Sequence, residues 1–341
     1  MEPLMHAETI PVIDLGPYFD GTAEGKRAVS RAVDAACRRL GFLVVSGHRV
    51  APELIEAIRT VSFEYFDLPV AEKMSLRMPP DRYRGYTPLM AENLAASLGE
   101  EAPPDLKESF SIGPVDTPLD AYHTGPAAGT FFAENFWPAR PVGMREAYTR
   151  YYRAMEDLAT QLMRIFALGL ELPEDYFDDK VDRHISNFSV LHYPAQMETP
   201  KPGQLRAGAH TDYGSLTILQ RDDAPGGLQV QGSDGGWFDV PDLPGTFVVN
   251  LGDLMQDWTA GRWRSTLHRV VNPGLGAGAA RGRMSMAFFH QPNYDAVVEV
   301  LPSCGTPVAA ERITSGEHVL MKIRRHRKDD LEREGVGVLA K

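Results

Sequence analysis

Two periodicities divide the chain. In its first half, apolar residues recur every three to four positions, which lays them along one face of a helix. Val29, Ala32, Val33, Ala36 and Leu40 do so within Lys26–Leu40, and Gly41 follows as a C-terminal cap. Leu54, Ile58 and Val61 do so within Ala51–Phe66. Glu146–Leu170 is the longest predicted helix, and its stripe of Tyr151, Met155, Leu158, Leu162 and Phe166 reads as core packing. Ile10–Leu15 and Phe42–Val45 read as short strands. From Pro69 to Pro118 the periodicity dissolves among prolines, glycines and charges, and so long a stretch in a compact domain reads as a functional surface loop.

After Asp182 the period shortens. Short strands separated by Gly, Pro and Asp turns are predicted at Asn187–Tyr193, Ser215–Leu219, Leu228–Gln231, Trp237–Val240, Thr246–Asn250, Thr266–Val271 and Met284–Phe289. Helices first and strands afterwards predict a mainly β fold with α, a jelly roll buttressed by N-terminal and central helices, and not an alternating α/β sheet. The expected organisation is a single globular unit over 1–341. Within it lie an N-terminal region over 8–118, a β core over 183–295 and a helical tail over 310–341.

Composition narrows the function classes. A net charge of −11 argues against nucleic acid as the main partner. Cys37 and Cys304 stand far apart without a C-x-x-C, so neither a disulfide framework nor a cysteine zinc site is expected, and a reducing cytoplasm fits. Met1–Ile10 lacks the basic and apolar regions of a signal peptide. No apolar run approaches the ~18 residues of a membrane span. The basic stretch Lys322–Lys328 reads as a solvated helix face, the alternative being that one cation reaches a pocket mouth and meets an anionic substrate.

Candidate chemistry centres on Gly208–Leu219. His210 and Asp212 are two apart in a strand-like run, so an imidazole and a carboxylate are expected to face one cavity. One more histidine completes the two-His, one-carboxylate set that holds non-haem Fe(II) with open positions. His268 is the best candidate: it sits in the strand-like Arg264–Asn272, 56 positions beyond Asp212, which leaves room for roughly four strands. His290 and His192 have the wrong parity, and His6, His48, His123, His184, His318 and His326 read as surface or capping residues. Arg283 and Ser285 are again two apart and offer a planar fork and a hydroxyl to a carboxylate. Tyr193, ending the preceding strand, offers a phenol to the same group.

These residues carry a resemblance to the isopenicillin N synthase-like branch of the Fe(II)/2-oxoglutarate-dependent oxygenases. It extends over most of the chain, through Ile10–Leu15, Gly41-Phe42, Arg84-Gly85-Tyr86, Asp105–Glu108, Asn135–Pro138, His210-Thr211-Asp212, Leu216–Leu219, Gly227–Val230, Asn250–Asp253, His268-Arg269-Val270 and Arg283-Met284-Ser285. The resemblance implies a double-stranded β-helix, iron on His210, Asp212 and His268, and 2-oxoglutarate held by Arg283, Ser285 and Tyr193. It further implies that O2 and 2-oxoglutarate are consumed to oxidise a small organic molecule by hydroxylation, desaturation or cyclisation, with release of succinate and CO2. Tyr83, Arg84 and Phe110, in the region that covers the pocket mouth in this family, and Leu205 and Phe289, near the ligand strands, are the expected substrate contacts.

Three departures mark the cosubstrate side: Leu191 replaces a common Asn, His192 a common Tyr, and Pro273–Gly282 is long and rich in Gly and Ala. A family oxidase that works without 2-oxoglutarate is the alternative, because an Arg-x-Ser can bind a substrate's own carboxylate. No counterpart of the glutamine-containing tail of isopenicillin N synthase is visible. A zinc hydrolase would leave Arg283 and Ser285 unexplained and lacks H-E-x-x-H, and a non-enzymatic jelly roll would be marked by a missing ligand.

Overall fold

The computed structural model describes residues 9–326 apart from 80–81, 100–101, 197, 225–226, 275–281 and 306–311. Most of the Pro273–Gly282 link, and Arg327 and Lys328 of the basic stretch, therefore lie outside the described residues. The three amphipathic helices form as Ala23–Arg39, Pro52–Phe66 and Met144–Gly169. The first is capped by Thr22, whose hydroxyl accepts from the Gly25 amide at 3.0 Å. It is followed by Gly41 at φ +67, where an added Cβ would also lie 1.9 Å from the Arg264 carbonyl oxygen. Glycine is required there on both counts.

Among the described residues, Val297–Val298 and Ile313–Thr314 pair as a separate short ribbon, and twelve strands build the two main sheets. In chain order they are β1 (Val12–Asp14), β2 (Phe42–Ser46), β3 (Gly85–Thr87), β4 (Glu108–Ile112), β5 (Asn187–Tyr193), β6 (Ala207–His210), β7 (Leu216–Arg221), β8 (Leu228–Gln231), β9 (Trp237–Asp239), β10 (Phe247–Leu251), β11 (His268–Val270) and β12 (Arg283–His290). The larger sheet runs β1-β2-β10-β7-β12-β5-β4-β3 and the smaller β6-β11-β8-β9. The two sheets make the jelly-roll core, with four strands of the larger one supplied by the N-terminal region.

Strand parity decides which side chains meet. Val45, Phe188, Val190, Ile218, Val249, Met286 and Phe288 leave the outer face of the larger sheet and pack with Tyr148, Tyr151, Met155 and Leu162 of the long helix. Phe42, Val44, Tyr193 and Val248 leave its inner face and meet Leu228, Val230 and Val270 of the smaller sheet. The space between the sheets is only partly filled, and the remainder is a cavity.

The stretch from Pro69 to Pro118 is not simply a surface loop. β3 and β4 extend the larger sheet, with Tyr86 opposite Phe110 and Phe110 opposite Val190. Phe110 is consequently a core residue, fully buried with its ring 4.9 Å from that of Tyr65, and the expectation that it contacts substrate is corrected. Parity sends its neighbours Ser109 and Ser111 into the cavity instead.

Glu108, on the outer face of β4, accepts from Lys73 Nζ and His192 Nδ1, each at 2.8 Å, and from the Tyr86 hydroxyl. This buried cluster ties β3, β4 and β5 to the segment that follows Pro52–Phe66. Glu108→Leu leaves the Lys73 ammonium with the Phe66 carbonyl and no carboxylate partner in the cluster. Breaking a buried pair in this way costs about 3–5 kcal/mol. Urea unfolding is expected to show that loss, and a change below about 1 kcal/mol would mean the cluster is more hydrated than its burial indicates.

Candidate active site

β6 and β11 pair antiparallel with His210 opposite His268, so the two imidazoles are cross-strand partners with centroids 4.2 Å apart. Four strands, β7 to β10, occupy the sequence between Asp212 and His268. Asp212 itself lies past the end of β6, in the turn into β7, so strand parity is not what aligns it. Its position is set by hydrogen bonds. Asp212 Oδ2 accepts from Thr217 Oγ1 at 2.5 Å and from Asn250 Nδ2 at 2.7 Å. Oδ1 is left facing His268 Nε2 at 3.7 Å and His210 Nε2 at 3.9 Å.

The histidine tautomers follow from the backbone. His210 Nδ1 lies 2.8 Å from the Gly208 carbonyl and His268 Nδ1 lies 3.1 Å from the Thr266 carbonyl. A carbonyl can only accept, so each ring donates Nδ1–H to its carbonyl and directs Nε2 inward, the arrangement typical of metal-ligating histidine. Burial, and then the neighbouring His268, hold the His210 imidazole well below its ordinary pKa and so neutral. Burial works against ionisation of Asp212, but His268, His210, Thr217 and Asn250 outweigh it and keep the carboxyl below its ordinary range. Two imidazoles and one carboxylate, with donor atoms within 4.8 Å of one another, fit a divalent ion of the Fe(II) type with positions open to the cavity.

The cavity holds about 260 Å³, room for small molecules and not for a macromolecule. At one end Arg283 of β12 stands opposite Tyr193 of β5, and Ser285 opposite Leu191. Arg283, Ser285 and Tyr193 are all nearly solvent-free and all line the cavity. Leu191 adds an apolar side chain to the wall beside these polar groups. Arg206, which no sequence pattern singled out, is buried beside this end with its guanidinium carbon 5.8 Å from the Tyr193 ring centroid.

Tyr83, Arg84 and Phe289 line the cavity as expected, whereas Leu205 does not. Its backbone carbonyl accepts from the Leu106 amide at 2.9 Å, and it serves to dock the β4 approach onto the strand that carries His210. Asp105, from the same Asp-Leu-Lys-Glu run, accepts from the Gly208 amide at 2.9 Å and the Leu94 amide at 3.2 Å. That run therefore positions the segment two residues before a candidate ligand, a role visible only when distant backbone amides are brought to it.

Among the described residues, His48, His123, His184, His192, His290 and His318 lie outside the cavity wall. His290 points away, with Nδ1 2.6 Å from Ser215 Oγ, and His192 faces Glu108 and stacks on Phe66. His123 and His318 are buried and not surface residues. The C-terminal helix Ser315–His326 is not wholly a solvated face either. Val319 and Leu320 form part of the cavity wall, and Lys322 Nζ donates to Asp253 Oδ2 at 2.6 Å, beside Thr211. No helix of the described residues is long and apolar enough to cross a membrane.

Comparison with known proteins places this geometry. Residues 10–140 match the N-terminal family of non-haem dioxygenases named for morphine synthesis, and residues 185–292 match the 2OG-Fe(II) oxygenase superfamily. A homoarginine-6-hydroxylase of Oryza sativa subsp. japonica is 33% identical over 93% of this chain and 97% of its own length. Validamycin A dioxygenase of Streptomyces hygroscopicus subsp. limoneus is 31% identical over 92% and 86%. The crystal structure of a full-length Neurospora crassa protein in complex with alpha-KG and thymine superposes with a TM-score of 0.80 at 30% identity, covering 94% of this chain and 97% of that one. Agreement in both sequence families, in whole-length relatives and in fold shows that this chain belongs to the isopenicillin N synthase-like branch of the 2OG-Fe(II) oxygenase superfamily and is an Fe(II)- and 2-oxoglutarate-dependent dioxygenase.

Proposed function

We propose that His210, Asp212 and His268 hold the Fe(II) of this dioxygenase, that Arg283, Ser285 and Tyr193 hold its 2-oxoglutarate, and that the primary substrate is a small polar metabolite of specialised or catabolic metabolism. The observation that carries the assignment is the convergence of two imidazole Nε2 atoms on Asp212 Oδ1, in the same cavity as a buried arginine fork. The relatives support the substrate size, since two are named for homoarginine and validamycin A and the Neurospora crassa structure holds thymine. Two free cysteines, one of them buried, favour the cytoplasm.

When bound, iron, 2-oxoglutarate and O2 together supply the oxidising power, with succinate and CO2 released and a substrate C–H bond oxidised. The chain's own residues do the positioning. The Gly208 and Thr266 carbonyls fix both ring tautomers, and Thr217 and Asn250 fix the carboxylate. Arg283 matches a carboxylate with parallel N–H bonds, and Ser285 and Tyr193 supply hydroxyls beside it. Tyr83, Arg84 and Phe289 border the substrate's share of the cavity.

Titration of the purified protein with Fe(II), and succinate release measured with and without candidate metabolites, test the proposal. Asn250→Ala removes one of the two donors that orient Asp212 while leaving every candidate ligand in place. Loss of such an outer partner costs roughly 10–100-fold in metal affinity, so Fe(II) binding is expected to weaken by about that factor. Unchanged affinity would mean that Asn250 does not orient Asp212 for the metal and that the Thr217 hydrogen bond suffices.

A further inference from the structure

The cavity has a second polar end. Opposite the Arg283 end, beyond Ala287 and Phe289 along β12, lie Arg84, Asn187, Ser189, Ser111 and Gln291. Arg84 is 3% exposed. Its Nη1 donates to the Tyr83 carbonyl at 2.8 Å and to Asn187 Oδ1 at 3.2 Å, and its Nη2 to the Phe131 carbonyl at 2.7 Å. Those acceptors are all neutral, and Nε is buried with no hydrogen-bond partner. Burial drives the guanidinium down to about 10, and the neighbour acting against that drop is the Tyr152 phenol, not a carboxylate.

The lysines around the cavity are compensated. Lys107 pairs with Glu92 and lies 3.6 Å from Asp105. Lys322 pairs with Asp253. Arg84, by contrast, places an uncompensated charge in a nearly dry pocket, a costly arrangement unless something anionic completes it. Beside it, Ser111 and Ser189 share a 2.7 Å hydrogen bond and Asn187 Nδ2 donates to Ser189 Oγ at 3.0 Å. Gln291 is 7% exposed, and its Oε1 is buried without a partner. The end therefore offers a cation that lacks an anion and an acceptor that lacks a donor.

We propose that this end is the anchoring subsite for the primary substrate and that it takes a carboxylate on Arg84, with an N–H or O–H of the same molecule on Gln291. The substrate class is then a small organic acid carrying a hydrogen-bond donor, such as an amino or hydroxy acid. This rests on the proposed site assignment, in which 2-oxoglutarate occupies the Arg283 end and leaves the Arg84 end to the substrate. Anchored there, the acid's far carbons extend toward the histidine pair.

The test uses full-length protein loaded with Mn(II) and 2-oxoglutarate for binding, and with Fe(II) for turnover. The probes are straight-chain acids from hexanoate to decanoate, their 2-amino and 2-hydroxy derivatives, and the primary amide of each. Acids are expected to bind at least about tenfold more tightly than their amides, and the donor-bearing acids more tightly than the plain ones. Arg84→Gln is expected to abolish the preference for acid over amide, at a cost on the order of 30-fold or more to the acids alone. Gln291→Leu is expected to remove the advantage of the donor-bearing acids while keeping the acid preference. Equal binding of acids and amides by the wild type overturns the proposal without reference to any variant. So does an acid preference that survives in Arg84→Gln, or a loss in that variant that falls on 2-oxoglutarate in place of the acids. Selective acid binding with no succinate released under any condition leaves the subsite standing and refutes the iron and cosubstrate assignment instead.

Discussion

Purified His268→Ala is expected to contain no stoichiometric iron and to release no succinate, while unfolding within about 1 kcal/mol of the wild type. The loss follows from the geometry. In the proposed site His268 supplies one of three donors, and the remaining pair, His210 and Asp212, would leave the third side of the site open to water. Even outer-sphere partners are worth roughly 10–100-fold in metal affinity, and loss of a direct ligand exceeds that. The small stability effect follows from where the ring sits. It borders the cavity, so truncation enlarges an existing space, and the Thr266 carbonyl that loses its partner can take water there. His210→Ala and Asp212→Ala are expected to behave alike. Stoichiometric iron and full turnover in the purified His268 variant would refute the ligand assignment. Among the described residues, the cavity wall holds no histidine besides His210 and His268.

Arg283→Ala is expected to raise the 2-oxoglutarate requirement by roughly 30- to several-thousand-fold, with iron content unchanged. Truncating one partner of a buried, hydrogen-bonded charge pair costs on the order of 2–5 kcal/mol, and each 1.4 kcal/mol is about tenfold. The pocket is dry enough for the upper part of that range, because Arg283 is 2% exposed and Tyr193 and Ser285 are buried beside it. Arg283→Lys keeps the charge without the fork and should fall between wild type and alanine. Ser285→Ala removes a single hydrogen bond to a charged group, about 1.5–3 kcal/mol at most. The expected order is therefore wild type, Ser285→Ala, Arg283→Ala, read from initial rates at varied 2-oxoglutarate and saturating iron. If Arg283→Ala kept its 2-oxoglutarate affinity and lost affinity for the primary substrate, the arginine would be a substrate anchor and the two ends of the cavity would exchange roles.

Elements with a strong local signature were legible in the chain. The long helix needed only the spacing of Tyr151, Met155 and Leu162, and β5 and β8 needed only short apolar runs bounded by turns, because burial of one face is written directly as a period. The candidate ligands were legible for a different reason: few residue types bind metal, and the Asp212 and Arg283 runs each bring two chemically suited side chains within three positions. The elements that escaped, β3 and β4, are short and rich in charged or small residues. Their strand character comes from pairing with each other and, through β4, with β5, a partner far away in sequence. Phe110 was misplaced for that reason, since its face is undefined until β4 has a register. Leu205 was misplaced because nearness in sequence to a ligand strand does not settle which way a side chain points.

By itself, then, the sequence determined the order of helices and strands, the donor types and the candidate carboxylate-binding pair, since each depends on local spacing and on side-chain chemistry. Only the tertiary structure decided that His268 stands opposite His210, that Thr217 and Asn250 hold one oxygen of Asp212 so that the other faces both rings, and that Arg84 is buried with no carboxylate to meet it. Those outcomes depend on strand register and on desolvation, which are properties of the assembled sheets and have no counterpart in the spacing of residues along the chain.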